Sequence, residues 1–115
     1  MTKTTLPETQ NLLAGLPDRL DEEAYAELAK GGACRLARII STGQATPAGD
    51  WYDQPQDEWV LLVSGGARLL IEGEEAPRTL GPGDFLLIPA RKRHRVEWTD
   101  EARPTVWLVL HFTAD

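Results

Sequence analysis

The spacing of apolar positions along this chain changes once, near Cys34. Before that point, Ala24, Tyr25, Leu28 and Ala29 form an apolar stripe at helical spacing. Asp21 can cap such a helix, and Glu22 and Glu23 fall in the first turn, where the macrodipole favours acids. Lys30 followed by Gly31-Gly32 is a stop signal. The pattern therefore predicts a short N-terminal helix, preceded by a polar arm. From Cys34 onward the apolar segments are short and bounded by turn residues, over Arg35 to Ser41, Glu58 to Ser64, Ala67 to Glu72, a short piece ending at Leu80, Phe85 to Pro89, His94 to Thr99 and Thr105 to Thr113. The unbroken apolar middle of the Glu58 segment predicts a strand buried on both faces or set in a barrel wall. Gly65-Gly66 reads as a two-residue hairpin, and Gly81-Pro82-Gly83-Asp84 is the densest turn signal in the chain. Strands without intervening helices predict an all-β antiparallel sandwich or barrel.

Composition narrows the function classes. A length of 115 residues fits one domain, with residues 1–33 as arm and helix and 34–113 as the barrel. Eighteen acidic side chains against twelve Lys plus Arg give a formal charge of −6, which argues against duplex nucleic acid as a partner. The lone Cys34 excludes an internal disulfide framework and any multi-cysteine zinc site. Leu12-Leu13-Ala14 is too short for a signal peptide, and Trp59 to Val63 is far too short for a membrane helix, so the expectation is a cytoplasmic protein without a membrane partner. With only two histidines, no site of three histidines can come from one chain.

Two segments carry a family resemblance. In GDFLLIPARKRH, Gly83, Pro89 and His94 stand at the spacing at which cupins set a glycine turn, a buried strand, a proline and a metal-binding histidine. In YDQPQDEWVLLVSG, Glu58 and Gly65 keep the separation of the glutamate and glycine of the first cupin motif. The chain resembles the cupin superfamily, and in particular its small single-domain bacterial members, over roughly Cys34 to Phe112. It departs from the pattern at four positions. Arg91 replaces the usual glycine two residues after the proline, and Trp98 falls where an asparagine is usual. The two histidine positions of the first motif hold Tyr52 and Gln54 in the register that matches Pro55, or Trp51 and Asp53 in an alternative register. The resemblance implies a jelly-roll barrel, the double-stranded β-helix, with a pocket inside it.

Alternation places His94 on one face of its strand with Val96 and Trp98, hence inward. It is a candidate metal ligand or general acid/base; the alternative is a core histidine bonded to backbone. Glu58 begins the most apolar strand, where burial of a carboxylate needs a cation or hydrogen bonds; an exposed strand end is the alternative. Gln54 and Tyr52 offer oxygen ligands or are equally well polar residues of a turn, and His111, which shares a face with Trp107 and Val109, reads first as a structural residue and second as a reserve ligand. These residues predict a loosely held divalent ion (Mn, Fe, Zn or Ni) at Glu58 and His94, with Gln54 and Tyr52 completing the shell. The second expectation is a metal-free isomerase or epimerase in which His94 and Tyr52 act as acid and base. The third is a ligand-binding module without catalysis. The Arg91 to Arg95 run reads first as a solvated loop whose charges balance nearby acids, and the alternative is a basic turn at the pocket mouth that steers in an anion. The expected partner is a small molecule, anionic or sugar-like. Cupin resemblance and an uncovered sheet edge together predict a homodimer.

Overall fold

The computed structural model describes residues 6–113, so the first residues of the polar arm lie outside it. Eight antiparallel strands run in chain order: β1 (Ala24–Gly31), β2 (Cys34–Ser41), β3 (Asp57–Ser64), β4 (Ala67–Ile71), β5 (Arg78–Leu80), β6 (Phe85–Ile88), β7 (His94–Thr99) and β8 (Thr105–Phe112). They form two sheets, a five-stranded one in the order β1-β2-β8-β3-β6 and a three-stranded one in the order β5-β4-β7. The all-β jelly roll expected from the sequence is the observed fold. The core lies between the sheets and is built from Val60, Leu62, Ala67, Leu69, Leu80, Ile88, Trp107 and Val109. None of the described residues is helical, and no helix long and apolar enough to cross a membrane is present among them.

The predicted N-terminal helix is corrected to strand β1. Tyr25 pairs with Ile39 and Lys30 with Arg35; Gly31 closes the strand opposite Cys34, and Gly32-Ala33, with Gly32 at φ 55°, forms the hairpin turn where a helix stop was expected. An isolated helix of about ten residues is marginal in water. The free edge of β2 offers the same segment a complete ladder of backbone partners. A bulge between Glu27 and Ala29 shifts the register, which hides the period-two pattern that a regular strand would display.

The hairpin expected at Gly65-Gly66 is also corrected. β3 pairs with β6 and β8, whereas β4 pairs with β5 and β7, so this dipeptide carries the chain from one sheet to the other. Gly65 sits at φ 91°, and the Thr105 hydroxyl donates to the Gly66 carbonyl at 3.1 Å and accepts the Gly66 N–H at 3.2 Å. A Cβ on Gly65 would run into Thr105 and the Pro104 carbonyl. A second tight turn, Pro89 to Lys92, is closed by the Lys92 N–H on the Pro89 carbonyl at 3.1 Å. Arg91 adopts φ 65° in it. The left-handed backbone that suits the glycine usual in cupins is thus kept with an arginine, at a local cost of about 1–2 kcal/mol.

Gly65→Ala combines a forbidden φ with a backbone clash, so it is expected to destabilise the protein by about 2 kcal/mol or more. Urea unfolding should show a lower midpoint with an unchanged slope. An unchanged midpoint would contradict the close approach of Gly65 to β8.

Candidate functional site

Three strands bring the ionisable side chains together. In β3, Glu58 points inward with Val60 and Leu62, directly across from His111 in β8 and from Ile88 in β6. His94 opens β7 in the opposite sheet and pairs with Ile71 of β4. Glu58 Oε1 lies 3.5 Å from His94 Nε2 and 3.5 Å from His111 Nε2. The Gln54 amide donates to the same oxygen at 2.6 Å. His94 is 4% exposed and His111 8% exposed, so this polar group is sealed from bulk water on the protein side.

The hydrogen bonds define the role of each nitrogen. His94 Nδ1 is 3.0 Å from the Lys92 carbonyl, an acceptor only, so Nδ1 carries a proton and Nε2 faces Glu58. His111 differs: both of its ring nitrogens are buried without a hydrogen-bond partner, and its 3.5 Å approach to Glu58 is an electrostatic contact outside hydrogen-bond geometry. Burial pushes the Glu58 carboxyl up, but the facing His111 and His94 imidazoles and the Gln54 amide outweigh it and hold the group at about 2. Burial likewise pushes His94 down, and the Glu58 carboxylate and Lys92 carbonyl together reverse this and raise it above its ordinary value.

Tyr52 and Gln54 belong to the segment before β3, which the Pro89–Lys92 turn fastens down. Arg91 N–H donates to the Gln54 carbonyl at 2.7 Å, and Ala90 N–H donates to Asp57 Oδ1 at 2.7 Å. Tyr52 and His94 form a backbone bridge, with N–H···O distances of 2.7 and 3.1 Å, and their rings stack at 5.5 Å with 27° between planes. Burial first, then the Glu23 and Glu58 carboxylates, push the Tyr52 phenol up, so it stays protonated at neutral pH. Of the two registers considered for the first motif, Tyr52 and Gln54 face the cavity. Trp51 packs under the guanidinium groups of Arg93 and Arg95, and Asp53 pairs with Arg91 at 3.3 Å.

The cavity has a volume of about 360 Å³. Glu58, His94, His111 and Gln54 make its polar floor, Ile39, Val60, Leu69, Ile88, Val96, Trp107 and Val109 its walls, and Glu23, Tyr25 and Tyr52 complete its lining. His111 joins the floor because residues directly opposite in an antiparallel pair share a face, a relation that needs the β3–β8 register and not the sequence alone. Glu23, just before β1, and Tyr25, within it, reach the cavity because this segment is extended, so the helical reading concealed them. Apart from His94, the side chains of the Arg91 to Arg95 run do not line the cavity. Arg93 pairs with Glu72 at 2.9 Å, and Arg95 donates to the Asp50 and Thr46 carbonyls at 3.1 Å each. The basic turn therefore braces the outside of the barrel instead of forming an anion funnel.

Comparison with known proteins agrees with this architecture. A crystal structure from Ralstonia eutropha JMP134, provisionally named a mannose-6-phosphate isomerase, is 50% identical, with a TM-score of 0.91 over 94% of this chain and 100% of that one. A cupin superfamily protein from Desulfitobacterium hafniense DCB-2 shares the fold at 19% identity, with a TM-score of 0.73 over 95% of each chain. Dimethylsulfoniopropionate lyase DddQ from Ruegeria pomeroyi is 33% identical over 89 residues, which span 75% of this chain and 43% of the lyase. The sequence profile of the cupin domain matches residues 40–111, a span that holds β3, β7 and the floor residues Gln54, Glu58, His94 and His111. This chain belongs to the cupin family.

Proposed function

We propose that this cupin binds a small organic molecule in the barrel cavity, with a divalent metal ion held at the floor by Glu58, His94 and His111. The observation that carries the reading is His111: a buried imidazole with two unpartnered nitrogens, set against a buried carboxylate, lacks a cation or donor. The donor set fits. Two imidazole nitrogens and a carboxylate oxygen suit Zn, Mn, Fe or Ni. Ligand bonds of about 2.1 Å in a tetrahedron put neighbouring donor atoms about 3.4 Å apart, close to the two spacings around Glu58 Oε1. Among the described residues no group of three or more His, Cys, Asp or Glu is already arranged to hold a metal ion, so uptake requires these side chains to move. When bound, the ion would supply Lewis-acid polarisation of a ligand oxygen. Lys92 orients His94 through Nδ1, Gln54 orients Glu58, and the apolar walls exclude water. Tyr52, its phenol protonated, stacks on the His94 ring and lines the same cavity.

A second reading rests on the Tyr52–His94 stack. In it the two residues act as acid and base without a metal, in the isomerase chemistry for which the Ralstonia protein is provisionally named. A pocket that only binds its ligand is the third. Separately, we propose a homodimer that pairs through Phe85 and Leu87, which are 64% and 54% exposed on edge strand β6 beside Trp59.

Protein purified without chelators is expected to carry about one divalent ion per chain, and added Mn, Fe, Zn or Ni should raise the melting temperature of the stripped form. His111→Ala and Glu58→Gln should each lower metal affinity at least about tenfold. Absence of metal together with no thermal shift overturns this reading, and activity that survives EDTA moves the assignment to the acid/base pair. The metal-free protein should also show a defined pH profile. Stabilisation by the depressed Glu58 is complete above about 4.5 and lost as pH falls toward about 2, whereas that from the raised His94 is complete below 6.5 and lost as pH rises through its elevated value. This pair therefore favours the fold most between those limits, and Glu58→Gln should flatten the acid limb of a melting-temperature profile. Finally, sedimentation at micromolar concentration should show a dimer that Leu87→Glu converts to monomer; a wild-type monomer removes the dimer from the proposal.

A further inference from the structure

The charges of the cavity lining are unbalanced. It contains two carboxylates, Glu23 and Glu58, three aromatic side chains, Tyr25, Tyr52 and Trp107, and no Lys or Arg. Glu58 is answered at the floor by two imidazoles and an amide. Glu23 is held differently. Its Oε2 accepts the Ser41 hydroxyl, and Ser41, fully buried, accepts Trp107 Nε1–H at 3.1 Å, so one oxygen is anchored to the indole. Glu23 makes no ion pair among the described residues.

We infer that Glu23, with the rings of Tyr25, Tyr52 and Trp107, forms a subsite for the positively charged head of a small organic ammonium or onium ligand. This rests on the reading of the cavity as a small-molecule site and adds the chemistry of the ligand. A carboxylate beside aromatic faces attracts a cation through both its charge and the ring quadrupoles. A phosphate would meet two carboxylates with no Lys or Arg to offset them, only imidazoles that already face Glu58. The apolar walls Ile39 and Val96 suit a methylated head, which needs no hydrogen bonds. Independently of Glu23, the unpartnered, nine-tenths-buried His111 in the same cavity points to an occupant. A metal at the floor would answer Glu58 and leave Glu23 to the ligand.

The test compares two probes of the same shape, glycine betaine and 3,3-dimethylbutanoate, which share a carboxylate and differ only in the charge of the head. Any contact of that carboxylate with the floor cancels in the comparison. Calorimetric titration of the protein as purified is expected to show betaine bound about tenfold tighter. Glu23→Gln, which keeps an acceptor for Ser41, should reduce the preference to within about twofold, and Tyr25→Leu, at a half-exposed position, should narrow it partway. Melting curves of both variants confirm that they are folded. Equal affinity for the two probes, or a preference retained in Glu23→Gln, overturns the inference. Binding of mannose 6-phosphate with neither probe bound overturns it too, while leaving the small-molecule reading intact. Metal content measured on the same sample reports separately on the floor.

Discussion

A carboxylate buried at the meeting point of two sheets is the constraint on which the rest of the site depends. Glu58 belongs to β3 and faces His111 across the β3–β8 ladder, while His94 reaches it from β7 in the other sheet. Taking such a group out of water costs several kcal/mol unless opposite charge and hydrogen bonds offset it. The neighbouring residues are arranged to do this, and their own supports follow from it. The Lys92 carbonyl fixes the His94 tautomer, and the turn carrying Lys92 holds the backbone of Gln54 through Arg91. That turn keeps a left-handed residue even though it is an arginine, because its amide is needed on the Gln54 carbonyl. Local backbone strain is thus accepted where it positions the polar floor.

The distribution of charge then separates the inside of the barrel from its rim. The chain is acidic overall, and its one dense basic run is engaged outside the cavity by Glu72, Asp53, the Trp51 ring and backbone carbonyls. Among the described residues that line the cavity, the two imidazoles are the groups able to carry positive charge, and both face Glu58. A site built this way has weak means of holding an anion by side chains alone. The proposals of a metal at the floor and of a cationic ligand head near Glu23 both start from this imbalance. Relatives named for a sugar phosphate and for a sulfonium acid share the scaffold, as expected of a fold whose chemistry lies in a few pocket residues.

Much of this was legible in the chain. Short apolar segments between glycine- and proline-rich turns reported the strands from β2 to β8 to within a residue or two, because strand alternation and turn chemistry are local properties. The spacing of Gly83, Pro89 and His94 reported the family, and parity placed His94 inward. What failed was whatever depended on a partner strand. Residues Ala24 to Lys30 have helical spacing and good caps, yet the open edge of β2 supplies a ladder that local propensity cannot foresee. Gly65-Gly66 has the composition of a hairpin, but only the pairing of β3 with β8 and of β4 with β7 makes it a crossing between sheets.

The same distinction applies to the site. The chain alone specifies which chemistry is available: two histidines, a carboxylate at the head of an apolar strand, oxygen donors before Pro55, and a single cysteine. It could not determine which of these groups meet. His111 becomes a neighbour of Glu58 through register, Tyr52 and Gln54 face inward through the bridge between Tyr52 and His94, and Glu23 reaches the cavity because its segment is extended rather than helical. Each of those facts is a relation between segments distant in sequence. Identity and alternation are written along the chain, whereas convergence is decided by how strands pair across the barrel.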